Sequence, residues 1–259
     1  MRITIKIGSN VLTRADGSLD VTRLSALVDQ IAVLRQHDIE VLLVSSGAVA
    51  CGRSVLHSMK NLKTKDNVDE RQLFSAVGQA KLIDRYYELF RDHRIHVGQV
   101  LTMKQNFSTP ISYSTQQNCM EVMLENGVIP IINENDTVCV TELMFTDNDE
   151  LSGLVARMMN CDHLIILSNI DGIFTGNPDD PNSELITHVK PGDDLSRFIQ
   201  SKKSNAGRGG MESKYSIAQE VNNAGITVII ANGKRNNVLT DLLIEHKTIP
   251  CTIFASASG

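Results

Sequence analysis

The sequence of 259 residues contains no tryptophan, few aromatic residues and no apolar run long enough to cross a bilayer. Aromatic side chains make up only 4% of the residues, so binding of nucleic acid through stacked bases is not favoured. The net charge of -5 also disfavours broad contact with nucleic acid or with an anionic membrane. The amino terminus lacks the apolar core of a signal peptide. These features predict a cytoplasmic protein that binds neither nucleic acid nor membrane.

Common metal and nucleotide motifs are also missing. The five cysteines are widely spaced and form no CxxC pair, which argues against a zinc site or a disulfide framework. The seven histidines form no HxxxH arrangement, so neither a metal cage nor a histidine base is indicated. The sequence contains no GxxxxGKS/T pattern and no GxGxxG pattern after a strand. An enzyme with this sequence must therefore rely on other groups.

Short apolar runs alternate with segments of helical period, which is typical of a parallel sheet covered by helices. A hydrophobic content of 42% predicts one domain with a sizeable core. The predicted strands are residues 3–7, 41–45, 96–101, 128–132, 164–167 and 226–230. The predicted helices are a segment after the capping residue Asp20, and residues 70–91, 114–125, 148–159, 211–224 and 238–246.

Three segments depart from this alternation. Residues 138–145 are β-rich and predict a hairpin that stands off the main sheet. A second hairpin is predicted around Asp171-Gly172, within residues 170–175. Residues 176–210 are rich in polar residues, glycine and proline, and predict a long mobile connection.

Two lysines stand beside glycines near opposite ends of the chain. Lys6 precedes Gly8, and Lys214 ends a glycine-rich segment in which we expect it to be exposed. Glycines let a backbone approach phosphate oxygens, and each lysine adds a positive charge. Taken alone, the Lys6 segment is better explained by a structural turn. Together the two segments suggest a phosphoryl group that is held from both ends of the chain.

Polar residues follow four predicted strands, at the edge where ligands bind in an open α/β sheet. They are Gly8-Ser9, Ser46-Gly47, Asn133-Glu134-Asn135-Asp136 and Ser168-Asn169. The first two turns would direct helix N-termini at one anion, although a helix cap also explains Ser46. We interpret residues 133–136 as a substrate contact, with a solvated turn as the alternative. Residues 147–149 equally fit an acidic helix cap.

A carboxylate acceptor would suit a site without a histidine base. With a pKa of about 4, a carboxylate is already ionised at neutral pH and can attack a phosphoryl group without losing a proton. Charge neutralisation and alignment would then be the remaining tasks of the site.

Seven segments together resemble the amino acid kinase family. In chain order they are residues 6–12, 44–52, 76–79, 96–99, 129–136, 147–149 and 209–214. The Asn-Glu-Asn-Asp and Ala-Val-Gly-Gln runs within them resemble the branch that phosphorylates glutamate, rather than the kinases of acetylglutamate, carbamate, aspartate or uridylate. The resemblance implies an α/β fold, a three-layer αβα sandwich with a mainly parallel central sheet. It also implies ATP-dependent phosphorylation of the L-glutamate side-chain carboxylate, the first step of proline biosynthesis.

The resemblance also implies a role for individual residues. Lys6 and Lys214 would contact the transferred phosphoryl group, and Asp149 would hold their ammonium groups. The positions that match glutamate-binding residues are Ser46, Asp136 and Asn148. Those that match nucleotide-binding residues are Lys6, Ser168, Asn169, Arg208, Gly209, Gly210, Met211, Glu212, Ser213 and Lys214. Mg²⁺ would be bound mainly through the phosphates of ATP, with no metal site made by the protein alone.

The implied organisation is a single domain over residues 1–259. Residues 1–160, approximately, would bind the amino acid and residues 161–259 would bind ATP. A C-terminal PUA domain, which many bacterial relatives carry, is expected to be absent. Two positions depart from the family pattern on the nucleotide side: Asn169 stands where aspartate is common, and Arg208 stands where a small residue is common.

Two other functions remain open at this point. One is a kinase of the same fold for another acceptor, such as N-acetylglutamate; Asp136 favours glutamate because a free ammonium group needs an acidic partner. The other is a non-catalytic sensor of nucleotide or amino acid, which would not need the charges of Lys6, Lys214 and Asp149. For an enzyme, the resemblance implies feedback by L-proline and a downstream glutamyl phosphate reductase. The sequence does not decide whether the chain forms a homo-oligomer.

Overall fold

The computed structural model of the protein describes residues 1–59, 62–64, 66–138, 145, 147–190, 192–199 and 210–256. The strands in these ranges are β1 (Arg2–Ile7), β2 (Glu40–Ser45), β3 (His96–Thr102), β4 (Val128–Glu134), β5 (His163–Ser168), β6 (Ile173–Phe174), β7 (Leu185–Ile186), β8 (His188–Val189), β9 (Thr227–Asn232) and β10 (Cys251–Phe254). The helices are α1 (Ser9–Leu12), α2 (Val21–Gln36), α3 (Ala48–Leu56), α4 (Asn67–Asp92), α5 (Pro110–Glu125), α6 (Asn148–Met158), α7 (Met211–Asn223) and α8 (Val238–Leu243).

The described residues form one large sheet with the strand order β3-β4-β2-β1-β5-β9-β10-β8. The six strands from β3 to β9 in this order run parallel, and β10 is antiparallel to β9. These six parallel strands are the six predicted from the sequence, so that part of the prediction is confirmed. Strands β8 and β10, which extend the sheet at one edge, were not predicted.

Helices cover both faces of the sheet. In β1, Ile3, Ile5 and Ile7 are fully buried on one face, where they pack with α2, α4 and α8. Thr4 and Lys6 alternate with them and point to the other face. That second face carries its own apolar core, formed with α5, α6 and α7. The predicted three-layer αβα sandwich is confirmed.

Local predictions in the second half of the chain need correction. The prediction of a hairpin around Asp171-Gly172 is wrong. Strand β6 pairs with β7, so the connection between the paired strands follows Phe174 and does not include Asp171-Gly172. Gly172 instead packs against β10: a Cβ atom there would lie 2.3 Å from Thr252 Oγ1. The segment 176–210 carries β7, β8 and a short 3-10 helix (Ser196–Phe198) within its described part. Of the hairpin predicted at 138–145, residues 139–144 lie outside the described ranges.

Two glycines allow α3 and α4 to touch through their backbones. A Cβ atom added to Gly78 would lie 1.8 Å from the carbonyl oxygen of Ala48, and one added to Gly52 would lie 1.8 Å from that of Phe74. The start of α3 is therefore held directly against α4. None of the helices in the described ranges is long and apolar enough to cross a membrane.

Candidate active site

The parallel register brings the ends of three strands to one level. Ile7 of β1 pairs with Ser45 of β2 on one side and with Leu167 of β5 on the other. The residues that come directly after Ile7, Ser45 and Leu167 are Gly8, Ser46 and Ser168. Polar residues that are distant in the sequence therefore meet at the carboxyl edge of the sheet.

Two lysines contact one buried carboxylate at this edge. The Nζ atom of Lys6 lies 2.6 Å from Oδ1 of Asp149, and the Nζ atom of Lys214 lies 3.0 Å from Oδ2. Asp149 is fully buried on the first turn of α6. Asp147 caps this helix, because its Oδ1 atom accepts from the backbone N–H groups of Asp149 and Glu150. The cap thus fixes the start of the helix that carries Asp149.

Asp147 and Asp149 have pKa values shifted in opposite directions. Burial alone would raise the pKa of Asp149, but the ammonium groups of Lys6 and Lys214 outweigh burial and hold it below its usual value. Burial, reinforced by the charge of Asp149, raises the pKa of Asp147, and the hydroxyl of Ser213 offsets only part of this rise. The site therefore has a firmly ionised carboxylate beside a carboxylate that resists ionisation.

A chain of hydrogen bonds connects Ser46 to helix α4. The Nδ2 atom of Asn148 donates to Ser46 Oγ at 2.9 Å and to Asn133 Oδ1 at 3.2 Å. Asn133 in turn donates through Nδ2 to Gln79 Oε1 at 2.9 Å. Ser46 accepts in this chain, so its own hydroxyl hydrogen is not used by Asn148 and can be donated elsewhere.

Helix α4 supplies three polar residues, of which the sequence analysis missed Arg71 and Ser75. Arg71, Ser75 and Gln79 recur every four residues and so share one face of the helix. Arg71 donates to Asp136 through both Nε and Nη2, and its Nη2 also lies 3.2 Å from Glu134 Oε2. Ser75 donates to the other oxygen of Asp136 at 2.8 Å. Polar residues spaced by four in a long amphipathic helix were the available signal.

Two adjoining cavities open at this edge of the sheet. The smaller has a volume of about 270 Å³, and the predicted residues that line it are Lys6, Ser46, Asn148, Asp149, Ser168, Asn169, Gly210, Met211 and Lys214. The larger has a volume of about 600 Å³, and its polar lining includes Ser46, Arg71, Asn133, Glu134, Asp136 and Asn148. The residues common to both are Ser9, Ser46, Asp147 and Asn148.

The other predicted nucleotide-binding residues are placed differently. Glu212 is exposed and does not line the smaller cavity, and Ser213 lies beside Asp147. On helix α7, Met211 and Lys214 share a face because they are three residues apart, whereas Glu212 and Ser213 do not line the smaller cavity. Two further predicted residues, Arg208 and Gly209, lie outside the described ranges.

Comparisons with known proteins all point to one family. The profile of the amino acid kinase family matches residues 1–232. The chain is 65% identical, over 98% of its length, to the glutamate 5-kinase of Bacteroides thetaiotaomicron, of which it spans 69%. It is 44% identical, over 92% of its length, to the glutamate 5-kinase of Chlorobaculum tepidum, of which it spans 65%. For the glutamate 5-kinase of Symbiobacterium thermophilum, the identity is 40%, over 93% of the chain and 92% of that protein.

Solved structures share the fold at much lower identity. Carbamate kinase from Giardia lamblia bound to AMP-PNP superposes with a TM-score of 0.68 and 17% identity, over 98% of each chain. UMP kinase from Bacillus anthracis gives a TM-score of 0.67 and 16% identity, over 99% of this chain and 96% of that one. These two likenesses concern the fold alone. The profile match and the closer relatives show that the chain belongs to the amino acid kinase family.

Proposed function

We propose that the chain transfers the γ-phosphoryl group of ATP to the side-chain carboxylate of L-glutamate, giving L-glutamyl 5-phosphate. The observation that carries this proposal is the position of Lys6, Asp149 and Lys214 beside the wall shared by two cavities. One cavity would hold the phosphoryl donor and the other the acceptor. The names of the three relatives support glutamate as that acceptor. The reaction would be the first step of proline biosynthesis.

At the phosphoryl end, Lys6 and Lys214 would stabilise the group in transfer. Both ammonium groups are held by Asp149, so their charges are fixed before the reaction begins. Fixed charges stabilise a transition state well because they need no reorganisation as negative charge moves. One carboxylate against two ammonium groups also leaves one positive charge for the phosphate. An ionised carboxylate acceptor needs no general base.

At the acceptor end, Ser46, Asp136 and Asn148 would bind glutamate. All three line the larger cavity, and Ser46 and Asn148 also line the wall shared with the smaller one. The hydroxyl of Ser46 is free to donate to the reacting carboxylate of the substrate. Asp136, farther along the larger cavity, would accept from the ammonium group.

The nucleotide would occupy the smaller cavity against Ser168, Asn169, Gly210 and Met211. We therefore assign glutamate binding mainly to residues 1–160 and ATP binding mainly to residues 161–259. Lys6 is the exception, because it comes from the first part and lines the cavity of the nucleotide. The resemblance to the family adds further contacts, which are Arg208, Gly209, Glu212 and Ser213.

Mg²⁺ would enter with the nucleotide, bound mainly through the phosphates of ATP. In the part of the chain that the structure describes, no group of three or more His, Cys, Asp or Glu side chains could hold an ion alone. Asp147 fits a cation carried by phosphates, because it lines both cavities and its buried Oδ2 atom has no hydrogen-bond partner of normal geometry. When bound, the ion would neutralise part of the phosphate charge.

The test is an acceptor comparison with purified protein, Mg-ATP and hydroxylamine. An acyl phosphate is trapped by hydroxylamine as a hydroxamate, so the acceptor is identified by the product. We expect hydroxamate from glutamate and much less from N-acetylglutamate or aspartate. Preference for N-acetylglutamate would replace the proposal with a kinase for that acceptor. Binding of ATP without turnover of any of the three would favour a sensor.

Three finer proposals follow from this activity. The product would pass to a glutamyl phosphate reductase, since an acyl phosphate hydrolyses in water unless it is used promptly. The enzyme would act in the cytoplasm, where ATP is available. A homo-oligomer would suit the apolar side chains that α5 exposes, Ile111 and Val122, which are 80% and 47% exposed. Sedimentation of the purified protein would test the last of these.

A further inference from the structure

Three charged side chains form a cluster in the wall of the larger cavity. Arg71 of α4 donates to both Asp136 and Glu134. The side chains of Asp136 and Glu134 are only 6% and 4% exposed, whereas that of Arg71 is 24% exposed. When all three groups are ionised, one guanidinium faces two carboxylates and one negative charge remains. This excess matches the single positive charge of an α-ammonium group.

We propose that Arg71 is a positioning residue that makes the acceptor site selective for a free α-ammonium group, because it orients Asp136 and pairs with Glu134. The inference rests on the proposed function, since it concerns how the acceptor amino acid is held. It adds a residue from α4 to a site otherwise built from the ends of strands.

Helix α4 holds both carboxylate oxygens of Asp136. Arg71 holds one carboxylate oxygen and Ser75 holds the other. Each oxygen of an ionised carboxylate can accept about two hydrogen bonds, so a substrate ammonium group can still be accommodated. The backbone contact at Gly78 holds α4 against α3 and leaves little freedom for the helix to move.

The ionisation of Glu134 depends on the balance of nearby groups. Burial raises the pKa of Glu134, and the carboxylate of Asp136 raises it further. The backbone N–H of Phe145 and the charge of Arg71 oppose this rise. Without Arg71, Glu134 would take up a proton at a higher pH and could donate to Asp136. The proton would then occupy an acceptor that the substrate ammonium needs.

Arg71 therefore supplies, beside the two carboxylates, a positive charge that a bound proton would otherwise supply. Other charged groups that line this cavity are Arg14, Arg53, Glu70 and Asp147. Arg14 and Arg53 are 51% and 61% exposed, and solvent screens their charges from the buried pair. Asp147 belongs to the wall shared with the smaller cavity.

The experiment compares the wild type with Arg71→Gln, Arg71→Lys and the control Arg85→Gln. Arg85 is a partly exposed arginine on the same helix, paired with Glu88. At pH 7 we expect Arg71→Gln to raise the KM for glutamate by about tenfold or more, as for a lost charged hydrogen bond. The KM for ATP and kcat should change far less. The control should match the wild type.

The pH profile separates positioning from a structural effect. In Arg71→Gln the KM for glutamate should fall as the pH rises from 6 to 9, because the pKa of Glu134 rises further without the charge of Arg71 and the carboxyl group loses its proton as the pH increases. The wild type and Arg71→Lys should show a nearly flat profile over the same range, with Arg71→Lys intermediate in KM. Glutarate, which lacks the ammonium group, should inhibit the wild type and Arg71→Gln equally.

The inference is overturned if Arg71→Gln keeps the KM and pH profile of the wild type, or if it weakens glutarate as much as glutamate. If Arg71→Gln does not fold, Arg71→Lys decides: an unchanged KM for glutamate in that variant also overturns the inference. A wild type that forms no hydroxamate from glutamate would instead reject the proposed function. The two failures are therefore distinguishable.

Discussion

Lys6 and Lys214, from opposite ends of the chain, contact the two oxygens of a single carboxylate. That carboxylate, Asp149, is fully buried, and the side chains of the lysines are only 6% and 11% exposed. Neither lysine is therefore an independent charge, because moving one changes the surroundings of the other. Substitutions at these three positions should act as a unit rather than additively.

The substitution Lys214→Met should reduce kcat far more than it reduces ATP affinity. It removes a positive charge directed at the phosphoryl group, which acts mainly where charge moves in the transition state. The loss should be on the order of 3 kcal/mol, or roughly a hundredfold in rate. Steady-state kinetics with varied ATP measure both quantities.

Lys214 is buried, contrary to the exposed position expected from its glycine-rich surroundings. The thermal midpoint of Lys214→Met must therefore be compared with that of Lys81→Met, which removes an exposed lysine from α4. Near-normal turnover in a folded Lys214→Met protein would show that Lys214 only anchors the nucleotide. A defect limited to a higher ATP requirement would lead to the same conclusion.

The substitution Asp149→Asn should destabilise the protein in a pH-dependent way. It leaves two buried ammonium groups without their shared partner, at a cost of about 3 to 5 kcal/mol at pH 7. Because the folded pKa of Asp149 is lowered, its stabilising contribution is present above the unfolded value of about 4 and is lost as the pH falls through the folded value. Urea unfolding between pH 3 and 7 should show the difference from wild type shrinking in acid. A constant difference would contradict this account.

The substitution Asp147→Asn should have the opposite pH dependence. The pKa of Asp147 is raised, so its ionisation costs stability as the pH rises from about 4 through the folded pKa. Asparagine is an equally good helix cap and carries no charge. The variant should therefore gain stability relative to wild type between pH 4 and 7 in the same unfolding assay. A difference that does not vary with pH would rule out burial of the charge as its cause.

The substitution Gly78→Ala should separate α3 from α4. The added Cβ atom would meet the backbone oxygen of Ala48, which cannot move without moving the helix. We expect a loss of about 3 kcal/mol in unfolding free energy and a raised KM for glutamate. Gly98→Ala is the matched control, because its Cβ atom would meet the flexible end of the Met123 side chain. If both substitutions lower the unfolding free energy equally, the backbone contact between α3 and α4 contributes no more than ordinary packing.

Proline should compete with glutamate in the larger cavity. Its ammonium and carboxylate groups match those of the substrate at a site overlapping Ser46, Asp136 and Asn148. Initial rates at several glutamate concentrations should show a raised apparent KM and an unchanged kcat. If proline has no effect at low glutamate, this part of the family resemblance does not hold for the chain.

The parallel sheet could be predicted because its strands are buried on both faces and read as short apolar runs. Strand β10 could not be predicted, because it is only four residues long. Its place in the sheet depends on long-range pairing of Ile253 with Ile229 of β9 and on its contact with β8. The expected turn at Asp171-Gly172 was wrong for a related reason. Gly172 is required by the approach of Thr252, a long-range contact without a local signature.

The sequence predicted those site residues that lie at the ends of strands or in the segments that resemble the amino acid kinase family. Arg71 and Ser75 were missed because their inward direction depends on which face of α4 touches α3. That face is set by the contact between Gly78 and Ala48, and therefore by tertiary packing. The sequence alone showed only polar residues within a helix.

The wall shared by the two cavities affects the order of events in the reaction. Ser46 and Asn148 border both sites, so ATP and glutamate would be bound at the same time and the phosphoryl group would pass between them in one in-line step. No phosphorylated enzyme would then form. Label should not exchange between ADP and ATP until glutamate is added, and a chiral γ-phosphorus should emerge with inverted configuration.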